Sequence, residues 1–142
     1  MSIKLKTTNR STLSASSAVD MASKALDTGA ELGVSVSVWI VGPSLEKIAF
    51  ASAETATPHS RETSLKKAQT AASTRRPTGW MPAGLDVELP LASGGLLTNV
   101  PGGFPIKVDG IVVGGLGIAG GTVEQDAQIA TAVLMAFSAE QS

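Results

Sequence analysis

The chain has 142 residues, no cysteine, one histidine and a formal charge of −1. The near-neutral balance argues against a nucleic-acid partner, whose grip rests on a basic face. The missing cysteine excludes thiol catalysis, thiolate metal sites and disulfides. The length suits one domain with its own core, and with only 4% aromatic residues Ala, Val, Leu and Gly must fill that core by close backbone approach.

The start, MSIKLKTTNRS, carries Lys4, Lys6 and Arg10 but no apolar run behind them. It resembles neither a secretion signal nor an anchor, and no stretch approaches the roughly 20 apolar residues of a membrane span. A cytoplasmic, soluble protein without a membrane partner is therefore expected. Residues 1–10 are polar and expected to fray, with a single domain over 11–142.

Leu13, Val19, Ala22, Ala25, Leu26 and Ala30 recur at helical spacing, which predicts a helix from Ser11 to Leu32. Ser11, Ser14 or Ser16 can cap it, and Gly33 ends it. Val34 to Val41 alternates, with Val34, Val36, Val38 and Ile40 on one apolar face. Gly42-Pro43-Ser44 is a turn, and Leu45 to Ala53 returns antiparallel. Thr57-Pro58 reads as a helix start, and Arg75-Arg76-Pro77 closes that helix near Thr74. Thr78 to Asn99, broken by Pro and Gly, reads as a short helical turn in a long loop. Phe104 to Val108 and Ile111 to Ile118 form a hairpin around Asp109-Gly110. Thr122 and Gln125 then make a capping box for a last helix that buries Ile129, Ala130, Val133, Leu134 and Phe137. Hairpins with helices packed on them define an α+β domain.

Gly115-Leu116-Gly117-Ile118-Ala119-Gly120 matches the dinucleotide fingerprint GxGxxG. That fingerprint needs a second parallel strand after the helix and an acidic residue on the ribose. Here the following helix is the last element, and a strand runs through the first glycines, so the match does not define a nucleotide site. Gly115 and Gly117 instead leave one strand face without Cβ atoms, alongside Ile111, Val113 and Ala119. Such a face admits a helix, another chain or a flat ligand. Gly120 and Gly121, with Thr122, place N–H groups at a helix N-terminus, where a carboxylate or phosphate is favoured. Glu124 in the first turn competes for that position.

These segments, taken in order, resemble the haem-binding GlcG/HbpS-like family, which includes the C-terminal domain of PduO. The resemblance rests on Glu31-Leu32-Gly33-Val34, Lys67-Ala68-Gln69-Thr70-Ala71, Arg76-Pro77-Thr78 and Gly94-Gly95-Leu96. It continues through Gly102-Gly103-Phe104-Pro105-Ile106 and from Asp109-Gly110 to Asp126. It implies a profilin-like antiparallel sheet of about five strands flanked by helices. It also implies homo-oligomers, and haem as a cofactor in some members. Two tracts depart from the family pattern, Gly42-Pro43-Ser44 in the first hairpin turn and Ser52-Ala53-Glu54-Thr55 after the second strand, so the ligand itself can differ.

The candidate binding residues are His59, Lys67, Gly103, Gly115, Gly117, Gly120, Gly121 and Thr122. His59 can ligate haem iron or act as a base, or simply face solvent; beyond that, no metal site is expected. Lys67 can hold a carboxylate or form a Schiff base, or lie on the helix surface. Glu124 and Asp126 read best as acids complementing a helix dipole. Arg75 and Arg76 read as a helix end, and Trp80 and Met81 as cover for a flat ligand or as core. Three functions remain open: a module for haem or another small anionic ligand; a cofactor-independent isomerase or lyase acting on a carboxylate or acyl substrate with His59 or Lys67 as catalytic candidates; and a structural or regulatory oligomer.

Overall fold

Ser14 is the serine that caps the first helix: its hydroxyl accepts the Ser17 N–H at 3.2 Å, and α1 runs Ala15–Glu31. The computed structural model describes residues 1–137, and the 138–142 end of the expected domain lies outside them. After α1 come β1 (Ser37–Val41), β2 (Lys47–Ser52), α2 (Ser60–Thr74), α3 (Leu85–Ala92), β3 (Gly103–Val108), β4 (Ile111–Ala119) and α4 (Val123–Ala136). Arg10, expected in a frayed end, reaches the β1–β2 turn, donating to the Ser44 hydroxyl and to the Pro43 carbonyl.

The boundaries that moved have local causes. β1 starts at Ser37 rather than Val34, because the Val34 N–H is spent on the Gly29 carbonyl at the end of α1 (2.8 Å). Pro58 is not the first residue of α2 but lies in the turn before it. The Ser60 N–H closes that turn on the Thr57 carbonyl, and His59 is the N-cap. The expected loop between Thr78 and Asn99 holds a true helix, α3, with Pro90 inside it. The Asp109-Gly110 turn is as expected: both residues have positive φ, 51° and 77°, as a two-residue type I′ turn requires.

The described residues form one four-stranded antiparallel sheet in the order β2-β1-β4-β3. The order of elements in the sequence gives four strands; the fifth that the resemblance implies is not among the described residues. Helices cover both faces. Ala18, Met21, Ala22 and Ala25 of α1 join Ile129, Ala130, Val133 and Leu134 of α4 over Val36, Val38, Ile40, Leu116 and Ile118. On the other face Leu65, Ala68 and Ala72 of α2 pack on Val41, with Trp39 alongside. β1 is thus buried on both sides, not one.

A bulge in β4 corrects the expected faces of that strand. Ile106 pairs with Gly114 but Lys107 pairs with Val112, so Val113 is the extra residue. The slip turns Val113 into the α1/α4 core beside Leu116 and Ile118, away from Gly115 and Gly117. The carbonyl of Val113 takes the Leu13 N–H at 3.1 Å.

At the far end of β4 the capping box forms in full. The Thr122 hydroxyl accepts the Gln125 N–H (3.1 Å), and Gln125 Oε1 accepts the Thr122 N–H (2.9 Å). Thr122→Ala leaves a helix donor without its partner and should cost about 1 kcal/mol in urea unfolding. An unchanged urea midpoint would show that the cap carries no stability.

Candidate functional site

The ends of three elements meet beside Gly120. β4 delivers Ala119, Gly120 and Gly121; α2 begins at His59 and Ser60; α4 begins at Thr122 and Val123. Gly120 has φ of +126°, and a Cβ there would press on the Ser35 carbonyl, so this crossing from strand to helix suits glycine. Between the three ends lies a cleft of about 270 Å³. Its wall includes Thr57, His59, Thr63 and Lys67 from the α2 side, Val100 from the loop before β3, and Val123 and Asp126 from α4.

Lys67 forms the floor. Its side chain and that of Asp126 are 3% and 4% exposed, and the Nζ–Oδ2 distance is 3.1 Å. Nζ also donates to the Ile118 carbonyl at 2.8 Å. The helical spacing of Ser60, Ser64 and Lys67 puts all three on the sheet-facing side of α2, where each is buried. Burial pushes the Lys67 ammonium below the ordinary lysine range, while the Asp126 charge and hydrogen bond pull it back up. Asp126 is fixed from the other side, since its Oδ1 accepts the Gly121 N–H at 2.9 Å.

That arrangement revises several expectations. Two donors expected to be free for an anion at the start of α4 are taken: Gly121 N–H is held by Asp126, and Thr122 N–H by Gln125. The competitor is Asp126, not Glu124, which is exposed. Asp126, read as a dipole-complementing acid, is a buried ion-pair partner. Gly103, Gly115 and Gly117 lie under α2 instead of lining the cleft. A methyl on Gly117 would overlap the Ser64 carbonyl oxygen and sit 2.6 Å from the Ala68 nitrogen. One on Gly115 would overlap the Ala68 carbonyl oxygen, and one on Gly103 the Lys67 carbonyl oxygen. The side-chain-poor face admits a helix, and no flat ligand fits beside it.

His59, Lys67, Gly120 and Gly121 do meet at one cleft. The His59 ring is exposed and makes no hydrogen bond among the described residues. Met81 is buried, its N–H held by Asn99 Oδ1, so it is core rather than ligand cover. Trp80 lies beneath the Arg76 guanidinium, 4.0 Å from its ring centroid. Arg75 ends α2 in the left-handed region, φ 62°, and lies at the opposite end of that helix from His59. Lys66, beside Lys67, faces outward to the Gly95 carbonyl and Glu62. Nothing in the sequence marks Thr63, Val100 or Val123 for a site, and Thr57 is marked only as a helix start. The capping box places Asp126 in the first turn beyond the end of β4; nothing in the sequence pairs it with Lys67.

Among the described residues no group of three or more His, Asp or Glu side chains is placed to hold a metal ion. Nor is any helix among them long and apolar enough to cross a membrane.

Fold and site together define an α+β domain with a four-stranded antiparallel sheet between helix layers and a small cleft at one sheet end. The chain belongs to the HbpS-like family, described as haem degrading protein HbpS-like, whose model matches residues 13–135. It is similar to the Klebsiella pneumoniae protein ORFY, with 27% identity and a TM-score of 0.88 over 99% of this chain and 100% of that one. It is also similar to PduOC, solved as a haem complex, with 30% identity and a TM-score of 0.83 over 91% and 97% of the two chains. A double-mutant HbpS of Streptomyces reticuli matches at 26% identity and a TM-score of 0.78 over 94% and 97%. A stretch of 44 residues is 46% identical to the corrinoid adenosyltransferase PduO of Salmonella typhimurium, spanning 31% of this chain and only 13% of that protein.

Proposed function

We propose that the protein is a cytoplasmic, self-associating small-molecule-binding protein that holds haem at the mouth of the His59 cleft. The observation that carries this reading is the placement of His59: an imidazole on the cleft rim with no hydrogen-bond partner among the described residues. A relative of the same fold solved with haem supports it.

The residues fit haem at the rim and not in the interior. His59 would hold the iron, and Val100 and Val123 would meet the apolar edge of the ring. A cleft of about 270 Å³ falls below the roughly 300–1,000 Å³ of pockets that enclose drug-sized ligands. The residues that would hold haem are therefore those at the opening. Haem supplies a redox-active iron when bound. The chain itself would contribute the His59 imidazole to hold the iron and, behind it, the Lys67–Asp126 pair, whose ammonium already faces a carboxylate. Self-association is supported by α3, which buries none of its residues in this chain and leaves Val87 and Leu91 59% and 75% exposed.

Titration with haemin should shift the Soret band at micromolar concentration. His59→Ala should weaken binding by at least about tenfold, about 1.4 kcal/mol. No shift at all, or an unchanged affinity in the variant, would remove His59 and haem from the site.

The Lys67–Asp126 pair favours a second reading, a cofactor-independent enzyme that moves protons at the cleft floor. The third, a purely structural oligomer, draws less support from the glycine face, because α2 of the same chain covers it.

A further inference from the structure

We propose that Lys67 is an imine-forming lysine and that the cleft takes a small neutral aldehyde or ketone. The proposal deepens the proton-transfer reading above and does not depend on haem, which would sit at the rim.

Position sets Lys67 apart. It is the one buried lysine among the described residues, and it lines the cleft floor. Of its three ammonium hydrogens, one goes to the Ile118 carbonyl and one to Asp126. The third has no acceptor among the described residues. A surface lysine is a solvated point charge, whereas a buried one gives up its proton more readily and becomes a nucleophile. Burial acts on Lys67 in that direction.

Asp126 completes the chemistry. Its carboxylate is held by the Gly121 N–H on one oxygen and faces Nζ with the other, so it can carry a proton without reorienting. The Lys67 ammonium passes a proton to Asp126. The neutral amine then adds to the carbonyl carbon, forming the C–N bond as the C=O electron pair moves to oxygen. That oxygen gains one proton from nitrogen and one from Asp126 and departs as water. The product is a protonated imine facing the Asp126 carboxylate. One ammonium and one carbonyl compound give one iminium and one water, with no oxidant or reductant.

The rest of the cleft sets the substrate class. Its volume admits a molecule of few heavy atoms. Thr57, Thr63 and the apolar Val100 and Val123 line it, and the one other titratable group on its wall among the described residues is His59. The floor cation already faces a carboxylate, so a charged acid finds no unpaired cation there. A neutral carbonyl compound is the better fit.

The test is reductive trapping of the full-length protein with acetaldehyde and cyanoborohydride near neutral pH, with adducts mapped by peptide mass. Lys67 should be alkylated several-fold faster than its neighbour Lys66, because the buried amine gives up its proton more readily. The Lys67-to-Lys66 labelling ratio should be lower with pyruvate, the charged comparison, than with acetaldehyde. Asp126→Asn, with its fold checked by circular dichroism, should slow trapping at Lys67 and leave Lys66 unchanged. Labelling of Lys67 no faster than of Lys66 would overturn the proposal. Equal Lys67-to-Lys66 ratios for the two probes would overturn the substrate class, and an unslowed Asp126→Asn the proton role. The haem reading is followed at the Soret band and through His59, so either can fail without the other.

Discussion

Gly117→Ala should lower stability by about 3 kcal/mol, a drop in melting temperature of about 10 °C for a chain of this length. One methyl group is enough because of what it meets. The Ser64 carbonyl oxygen and the Ala68 nitrogen of α2 lie where the Cβ would go, and both are backbone. A side chain can rotate away, but a helix backbone yields only if the whole helix lifts. Lifting α2 would also strip its contacts with Val41 and Gly115. Ala68→Gly should not rescue the variant, because the tighter overlap is with the Ser64 carbonyl and not with the Ala68 methyl. Thermal unfolding of the single and double variants measures this. A melting temperature within a degree or two of wild type would mean that α2 does not rest on β4 as described.

The second large effect is at the ion pair. Lys67→Ala and Asp126→Ala each strand a charge that is almost fully buried, and each should cost about 3–5 kcal/mol. The double variant Lys67→Met/Asp126→Leu removes both charges, and it should lie close to wild type or above it. The pH dependence has a definite sign. Burial holds Lys67 below the ordinary lysine value of 10.5. Between its folded pKa and 10.5 the unfolded chain binds a proton that the folded protein lacks, so stability rises with pH across that window. Below the folded pKa the cost is complete and constant; above 10.5 it is gone. Measured against the double variant, which has no titrating group at the site, wild type should gain stability as pH rises toward 10.5. A gap that is flat or narrows in the other direction would show that Lys67 is solvated after all.

Local rules were readable where the chain obeys them locally. The Asp109-Gly110 turn, the Thr122–Gln125 box and the Ser14 cap each depend on residues within a few positions of one another, and each formed. The element order followed from the same signals. Long-range facts left no such mark. Lys67 and Asp126 are 59 residues apart and meet only because α2 and α4 approach the same end of β4. The bulge at Val113 depends on the register with β3, and no alternation along β4 alone encodes it. α3 reads from sequence only as a short helical turn, because Gly84 caps it and Pro90 lies inside it, both signals that elsewhere mark loops. The reading of Gly115 and Gly117 as a place for close approach was sound, but the sequence could not say whether ligand or helix would approach.

The seat of α2 on β4 has a consequence for the sequence itself. Ser60, Ser64, Ala68 and Ala72 recur every fourth residue, all small, along the line where the helix meets the sheet. Gly115 and Gly117 recur every second residue opposite part of that line. The two patterns work as lock and key, one at helical and one at strand spacing, separated by nearly the whole middle of the chain. Neither tolerates enlargement alone, and enlargement of both would push the helix off the strand. Substitution is therefore forbidden here jointly. The permitted variation should gather at the rim around Thr57, Val100 and Val123, where a change of side chain alters what the protein grips and not whether it folds.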